Sequence, residues 1–355
     1  MRHFVVKSAL EALYFSGAFG LMRPFVGGVG AILMLHRVQP RRSARFQPNL
    51  RLEITPEFLT TIVRRLRRSG VDFVSLDEVH RRLTERDFRR RFVAITLDDG
   101  YRDNKEWAYP IFKQHEVPFA IYIPSSFPDR IGHLWWLSLE QIIAHNDAIV
   151  LEMDGQDCRL TCGSVREKYE AYDFLHGWLR SLPKAGAIRD VMRELATRYG
   201  VDIQAISHQE CMSWDEIAAL AADPLVTIGA HSVNHVVLAK APPAVARAEL
   251  NMGRAVIEAA LGSSPRHLAY PYGDASAAGP REYAMAAELG FLTAVTARPG
   301  VLLPEHADRL TALPRIPISG EFQRGRYIDV LVSGASMALA NCLRRQGAGG
   351  IPQPY

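Results

Sequence analysis

The chain has 355 residues, 48% hydrophobic and 23% charged, which excludes a disordered polymer and fits one domain of about 250 residues carrying insertions. The net charge of +4 is unevenly placed, with fourteen arginines against seven acids between Arg41 and Arg91. No basic-aromatic interleaving or nucleic-acid motif accompanies that run, so no nucleic-acid partner is expected. Solvated helix faces remain, or a face turned to anionic lipid or to an anionic glycan intermediate. Cys158, Cys162, Cys211 and Cys342 form no disulfide framework, and free thiols fit a reducing compartment.

In chain order, Ser8 to Met22 is apolar but short of a spanning helix and lacks an Ala-x-Ala-like site, so it reads as an amphipathic, interfacial helix. Ala31 to Val38 is the first strand, ending Leu35-His36-Arg37. Thr55 caps a helix with Pro56 at its first position and an apolar stripe of Phe58, Leu59, Ile62, Val63 and Leu66. Asp72 to Leu76 is a second strand, and Ser75 to Glu78 has the pattern of a capping box. Phe92 to Leu97 is the third strand, a helix spans Asn104 to His115, and Phe119 to Pro124 is the fourth strand. This βαβα alternation argues for a parallel sheet with right-handed crossovers.

The alternation breaks from Ser125 to Met212. That insertion carries the cluster Leu134-Trp135-Trp136, a hairpin across Asp154-Gly155, and helices around Val165 to Leu182 and Ile188 to Tyr199. An insertion after a barrel strand should roof the site or bind glycan. Trp135 and Trp136 are either its packing onto the sheet or platforms for sugar rings. Ser213 to Glu216 is a capping box marking the return. A strand then ends at His231, a helix spans Pro243 to Leu261, and further strands cover His267 to Gly273, Phe291 to Thr296 and Leu313 to Ile318. Ile328 to Leu343 is an Ala-rich helix that could pack beside the N-terminal one, and Gly347 to Tyr355 reads as a flexible end.

Two strand ends carry the chemistry. Phe92 to Leu97 runs into Asp98-Asp99-Gly100, where Gly100 permits a turn that lets adjacent carboxylates converge. Like charges held together call for a cation. Val226 to Ala230 runs into His231-Ser-Val-Asn-His235, and imidazole with carboxylate is a common zinc ligand set.

Leu97-Asp98-Asp99-Gly100 and His231-Ser-Val-Asn-His235 resemble the first two motifs of the polysaccharide deacetylases of the NodB-homology type, carbohydrate esterase family 4. The resemblance runs from about Ile32 to about Ile318. It implies an α/β fold, a distorted (β/α)7-8 barrel with a long insertion after strand 4, and metal-dependent removal of acetyl groups from sugars. It also implies Asp98 as general base and Asp99, His231 and His235 as ligands of a divalent metal, zinc first, with cobalt or nickel as alternatives. Pro271-Tyr272-Gly273 matches the third motif, though Ala269 stands where many members carry arginine. The aspartate-tryptophan motif is absent, and Leu313 to Ile318 holds Arg315 where a histidine acid often stands. Tyr-Pro-Tyr-Gly with the early Leu-His-Arg resembles the branch tied to cell-surface polysaccharide synthesis.

The missing acid leaves His36, at the end of the first strand, or protonated Asp98 to serve the leaving amine; His36 could equally be structural. His267 begins its strand and should lie at the opposite, stability face. Tyr272, Pro271, Trp135, Trp136 and Arg315 are the expected substrate and oxyanion groups, with backbone N–H groups near Tyr272 or Gly100 holding the oxyanion.

The reading is a deacetylase, of N-acetyl groups first, acting on a polysaccharide or its lipid-linked precursor. A glycan-binding pseudoenzyme and a barrel glycosidase are the competitors. The expected layout is a terminal helix over 1–30, barrel over 31–124 and 213–320, insertion over 125–212, and a helix with tail over 321–355. A cytoplasmic enzyme is expected, touching the inner membrane peripherally through its terminal helices.

Overall fold

The computed structural model describes residues 2–153 and 155–345. Asp154 of the expected hairpin turn and the tail beyond 345 lie outside the described residues. Seven parallel strands close into a barrel: β1 (Gly30–Leu35), β2 (Phe92–Leu97), β3 (Phe119–Ile123), β4 (Val226–Ala230), β5 (His267–Ala269), β6 (Thr293–Pro299) and β7 (Leu313–Pro317). β1 closes the ring by pairing with β7 on one side and β2 on the other.

The second expected strand is not a stave. β1 and β2 are paired over their whole length, from Gly30 opposite Phe92 to Leu35 opposite Leu97, so no strand fits between them. Asp72–Phe73 pairs only with the base of β2. The barrel therefore has seven strands, and the insertion follows β3.

Period-two alternation builds the core and aims the site. Ile32, Phe92, Ala94, Ala120, Tyr122, Ala269, Val295 and Leu313 fill the interior, while Leu33, Val93, Ile95 and Ile121 pack outward against helices. Continuing each inward series up its strand reaches Thr96 and Asp98 from β2, His36 from β1, Arg315 from β7 and His231 from β4. The polar residues at the C-terminal mouth are thus the last inward positions of apolar strands.

Several boundaries differ from the sequence reading. The first strand stops at Leu35, because Arg37–Val38 leaves the barrel to pair with Glu53–Ile54 and Arg37 is drawn to Asp103 at 2.7 Å. β5 ends at Ala269, before the Tyr-Pro-Tyr-Gly turn. The Ser75 hydroxyl accepts from Glu78 N–H, but the Glu78 carboxylate turns to Arg81 and Arg82, so half the capping box forms. Ser213 and Glu216 make the full box.

The insertion has its own core around Trp136, Leu139, Leu151, Tyr172 and Leu195. Its expected hairpin and two helices are present as Ala148–Met153 with Gln156–Thr161, Val165–Ser181 and Ala187–Tyr199. Helices Trp135–Ala144 and Ile203–Glu210 were not foreseen. The expected N-terminal helix is two, Arg2–Phe15 and Ala18–Val26, bent by 92° at a left-handed Gly17. The C-terminal helix is also two, Gly325–Val332 and Ala335–Arg345. These termini do pack together, through Leu10, Leu13, Tyr327 and Val330, and Glu11 is held by Arg324 and Arg326.

Candidate active site

The turn after β2 differs from the one the sequence suggested. Alternation alone points Asp98 inward and Asp99 away. Asp99 itself adopts a left-handed φ of 72°, ahead of Gly100 at 63°, and this returns its carboxylate to the mouth. Ser232, His235 and Tyr272 share that conformation, so among the described residues four of the seven non-glycine residues at positive φ stand in the motif turns. Each such residue costs about 1–3 kcal/mol, and such strain gathers at functional sites.

His231 donates from Nδ1 to the Ala269 carbonyl at 2.7 Å, which leaves Nε2 as a lone pair facing inward. That nitrogen lies 3.6 Å from Asp99 Oδ1, and His235 Nε2 lies 3.4 Å from the same oxygen. Asp99 Oδ1 is buried with no hydrogen-bond donor. The three ligand atoms lie within 4.8 Å of one another. Burial, then the Asp98 charge, push the Asp99 carboxyl well above the ordinary range, so its ionised form calls for a cation. Burial holds both imidazoles neutral, His235 further because His231 stands beside it. A donor-free carboxylate oxygen facing two imidazole lone pairs fits a divalent metal.

The loop bearing these histidines is held from behind. Glu249 Oε2 accepts from the N–H groups of Val233 and Asn234 at 3.0 and 2.8 Å, and Oε1 accepts from Asn234 Nδ2 at 2.7 Å. Gly253, one helical turn on, lets that helix lie directly against the Ser232 backbone.

Asp98 is built differently from its neighbour. Arg315 donates to both of its oxygens at 2.7 Å. Burial raises the Asp98 pKa, but the Arg315 charge and hydrogen bonds outweigh it and hold the carboxyl at about 2. Arg315 is itself 1% exposed, and it also donates to Thr296 O and Thr96 Oγ1. The expectation that Arg315 contacts substrate is corrected: it is buried behind the cavity wall, and its donors go to Asp98, Thr96 and Thr296.

His36 lines the cavity among groups facing Asp98. Burial pulls its pKa to about 4, Asp98 opposing and Arg315 adding to the fall, so the imidazole stands neutral near pH 7. It holds no proton in readiness and has to receive one before it can donate. His267 lies at the barrel base as expected, bonded to Thr293 and Asp77.

Trp135 and Trp136 are 4% and 5% exposed, and their indole N–H groups donate to Tyr272 Oη and Tyr101 Oη at 2.8 Å. They pack the insertion onto the barrel while their rings border the cavity. Tyr272 lines the same wall, its ring 4.7 Å from His235. Pro271 is buried in the turn beneath and its carbonyl accepts from Gly273 N–H. The insertion is pinned at both ends to the metal motifs: Ser125 and Ser126 donate to Ser232 and Val233, and Met212 donates to Gly100.

The resulting cavity is about 260 Å³ and is lined by all four residues Asp98, Asp99, His231 and His235. Arg51, His176, Arg180 and Asp274 also line it, and sequence reasoning singled out none of them. His176 and Arg180 stand four apart on one helix, a spacing that places them on one face, but nothing local says that face meets a cavity.

Residues 185–291 match the family model described as polysaccharide deacetylase. A polysaccharide deacetylase domain is thus recognised over residues 185–291, less than a third of the chain. Among solved structures the chain is similar to the Streptococcus pyogenes deacetylase PplD in complex with acetate, at 17% identity over 82% of this chain and 92% of that one, with a TM-score of 0.55. IcaB from Ammonifex degensii gives 18% identity, 87% and 98% coverage, and a TM-score of 0.53. BC0361, a polysaccharide deacetylase from Bacillus cereus, gives 13%, 85% and 68%, and 0.52. At these identities the likeness is one of fold. No curated protein matches the chain.

Proposed function

We propose that the protein is a metal-dependent N-deacetylase acting on a sugar unit of a polysaccharide or its lipid-linked precursor. One observation carries the reading: the donor-free Oδ1 of Asp99 faces two imidazole nitrogens while the adjacent Asp98 is held through both oxygens by Arg315. Asp99, His231 and His235 would hold the cation, most simply zinc, with cobalt or nickel also suited to these donors. Bound there, it would lower the pKa of a water and polarise the acetamide carbonyl.

The chain's own residues supply the rest. Asp98, ionised and fixed in plane by Arg315, accepts the proton of the attacking water. Backbone N–H groups near Tyr272 or at the Gly100 turn would stabilise the oxyanion. The proton must then reach the leaving amine, from Asp98 directly or through neutral His36 as a relay. The indoles of Trp135 and Trp136 and the Tyr272 ring wall in the sugar. A glycosidase would need a second free carboxylate across from Asp98, whereas of the other two acids lining the cavity Asp99 faces His231 and His235 and Asp274 is paired with Arg180.

Acetate release from N-acetylhexosamine oligomers by EDTA-treated protein, reloaded with zinc, cobalt or nickel, tests this. Release restored by at least one metal is expected. Sugar binding without acetate under any of them would make the protein a glycan-binding relative instead.

We further propose that the terminal helices rest on an anionic membrane. No single helix is long and apolar enough to cross one, but Phe4, Phe15, Leu21 and Phe25 are 73–86% exposed. Glu11, the one acid of the first 26 residues, is turned inward to Arg324 and Arg326, leaving Lys7 and Arg23 uncompensated by any acid of that segment. Co-sedimentation with phosphatidylglycerol vesicles but not phosphatidylcholine vesicles is expected. A Phe15→Ser/Leu21→Ser/Phe25→Ser variant that sediments as wild type would refute this.

A further inference from the structure

Arg51 and Arg180, two arginines with no part in the proposed hydrolysis, line the cavity. The arginines that brace it are engaged by carboxylates: Arg37 by Asp103 and Glu210, Arg42 by Glu53 and Glu140, Arg315 by Asp98. Arg51 is the exception. Among the described residues it meets no carboxylate, and its side chain donates from Nη2 to His176 Nε2 at 3.1 Å. His176 is packed between the rings of Trp135 and Tyr172 and accepts that bond as a neutral imidazole, so it leaves the guanidinium charge uncancelled.

Arg51 is nonetheless held in place. Its neighbour Asn49 donates to Trp136 O and Glu140 Oε2 at 3.0 and 2.8 Å and accepts from Tyr172 Oη at 2.8 Å. These bonds fix the short Leu50–Leu52 turn against the insertion with Arg51 lining the cavity. Arg180, from the insertion, lines the same cavity with its guanidinium 4.0 Å above the Tyr272 ring. It reaches Asp274 through Nη2, but its Nη1 is buried with no partner. A fixed, unpaired arginine and a buried donor without an acceptor are costly unless a ligand supplies oxygens.

We infer that the substrate is an anionic acetylated glycan, whose carboxylate or phosphate is bound by Arg51 and Arg180 while the acetamido group meets the metal site. This rests on the deacetylase reading and narrows it to a substrate class. Guanidinium matches both anions bidentately, which an ammonium cannot. Neither arginine is a catalytic residue; each sets which sugar is held.

The test uses the full metal-loaded chain and three probes: neutral chitotetraose, a hyaluronan tetrasaccharide bearing glucuronate, and UDP-N-acetylglucosamine bearing a diphosphate. Wild-type kcat/KM should be about tenfold or more higher on one of the anionic probes than on chitotetraose, with the preference shrinking as salt rises. The probe that gains tells carboxylate from phosphate. Arg51→Met and Arg180→Met should lower that ratio about tenfold, mainly through KM, and Arg51→Lys should restore part of it. No anionic preference in wild type, or a ratio unmoved in Arg51→Met, would overturn the inference. Binding of the same probes, measured by calorimetry, separates this from the reading beneath it. Arg51-dependent binding of an anionic probe without acetate release would sink the deacetylase reading and keep this one. Acetate release from all probes without preference would do the reverse.

Discussion

Arg315 and Asp98, 217 positions apart, meet through two parallel hydrogen bonds of 2.7 Å, Nη1 to Oδ1 and Nη2 to Oδ2. A bidentate pair fixes the plane of the carboxylate as well as its place. Both residues are buried, so the pair stands where breaking it is expensive.

Arg315→Met should therefore leave Asp98 buried without its partner, at a cost of about 3–5 kcal/mol. Asp98 would also rise from its pKa of about 2 and lose its orientation, with turnover falling about 10²-fold or more. Urea unfolding and acetate release measure the two effects. A variant as stable and as active as wild type would show the pair to be idle.

The adjacent carboxylates should separate in metal analysis. Asp99→Ala, His231→Ala and His235→Ala each remove one of three clustered donors and should lose the bound metal. Asp98→Asn should keep it and lose turnover, since Asp98 spends both oxygens on Arg315. Full metal occupancy in Asp99→Ala would contradict the ligand assignment.

Gly253→Ala tests the loop from outside the site. A Cβ there would stand 2.7 Å from the Ser232 carbonyl carbon and oxygen, and backbone cannot swing away as a side chain could. The His231–His235 loop should shift, weakening metal affinity about 10–100-fold, the scale of outer-shell changes. Competition with a chelator of known affinity measures this, and unchanged affinity would mean the helix yields instead of the loop.

Much of this site was legible because the signals are local. Apolar strands with period two, each ending in polar residues, already place Asp98, His36, His231 and Arg315 at one mouth. The left-handed turn at Asp99 was not legible, since aspartate does not announce a positive φ as glycine does. The partner of Arg315 was hidden by sequence distance, which led to its assignment to substrate. The absent eighth stave depended on β1 meeting β2 directly, a pairing no local pattern encodes. The bends at Gly17 and Gly334 were read through because the flanking apolar pattern continues across them.

Two neutral imidazoles in the cavity wall bear on acid stability. Burial is the main cause in each: His36 is pulled to about 4 and His176 to about 3, the latter helped by the charges of Arg51 and Arg180. In the unfolded chain both titrate near 6.5, so between pH 6.5 and 4 the unfolded state binds protons the native state refuses. Their stabilising contribution is full above about pH 6.5, declines as pH falls, and is gone near pH 4 for His36 and near pH 3 for His176. From pH 7 to pH 5 the native state should lose roughly 1–2 kcal/mol for each histidine, after allowance for partial exposure. Urea midpoints of EDTA-treated protein at the two pH values measure the loss, to which His231 and His235 contribute with the same sign. A His36→Gln/His176→Gln variant keeps hydrogen-bonding groups but cannot titrate, so its midpoint should fall less over the same interval. An identical fall in both proteins would place the acid sensitivity elsewhere.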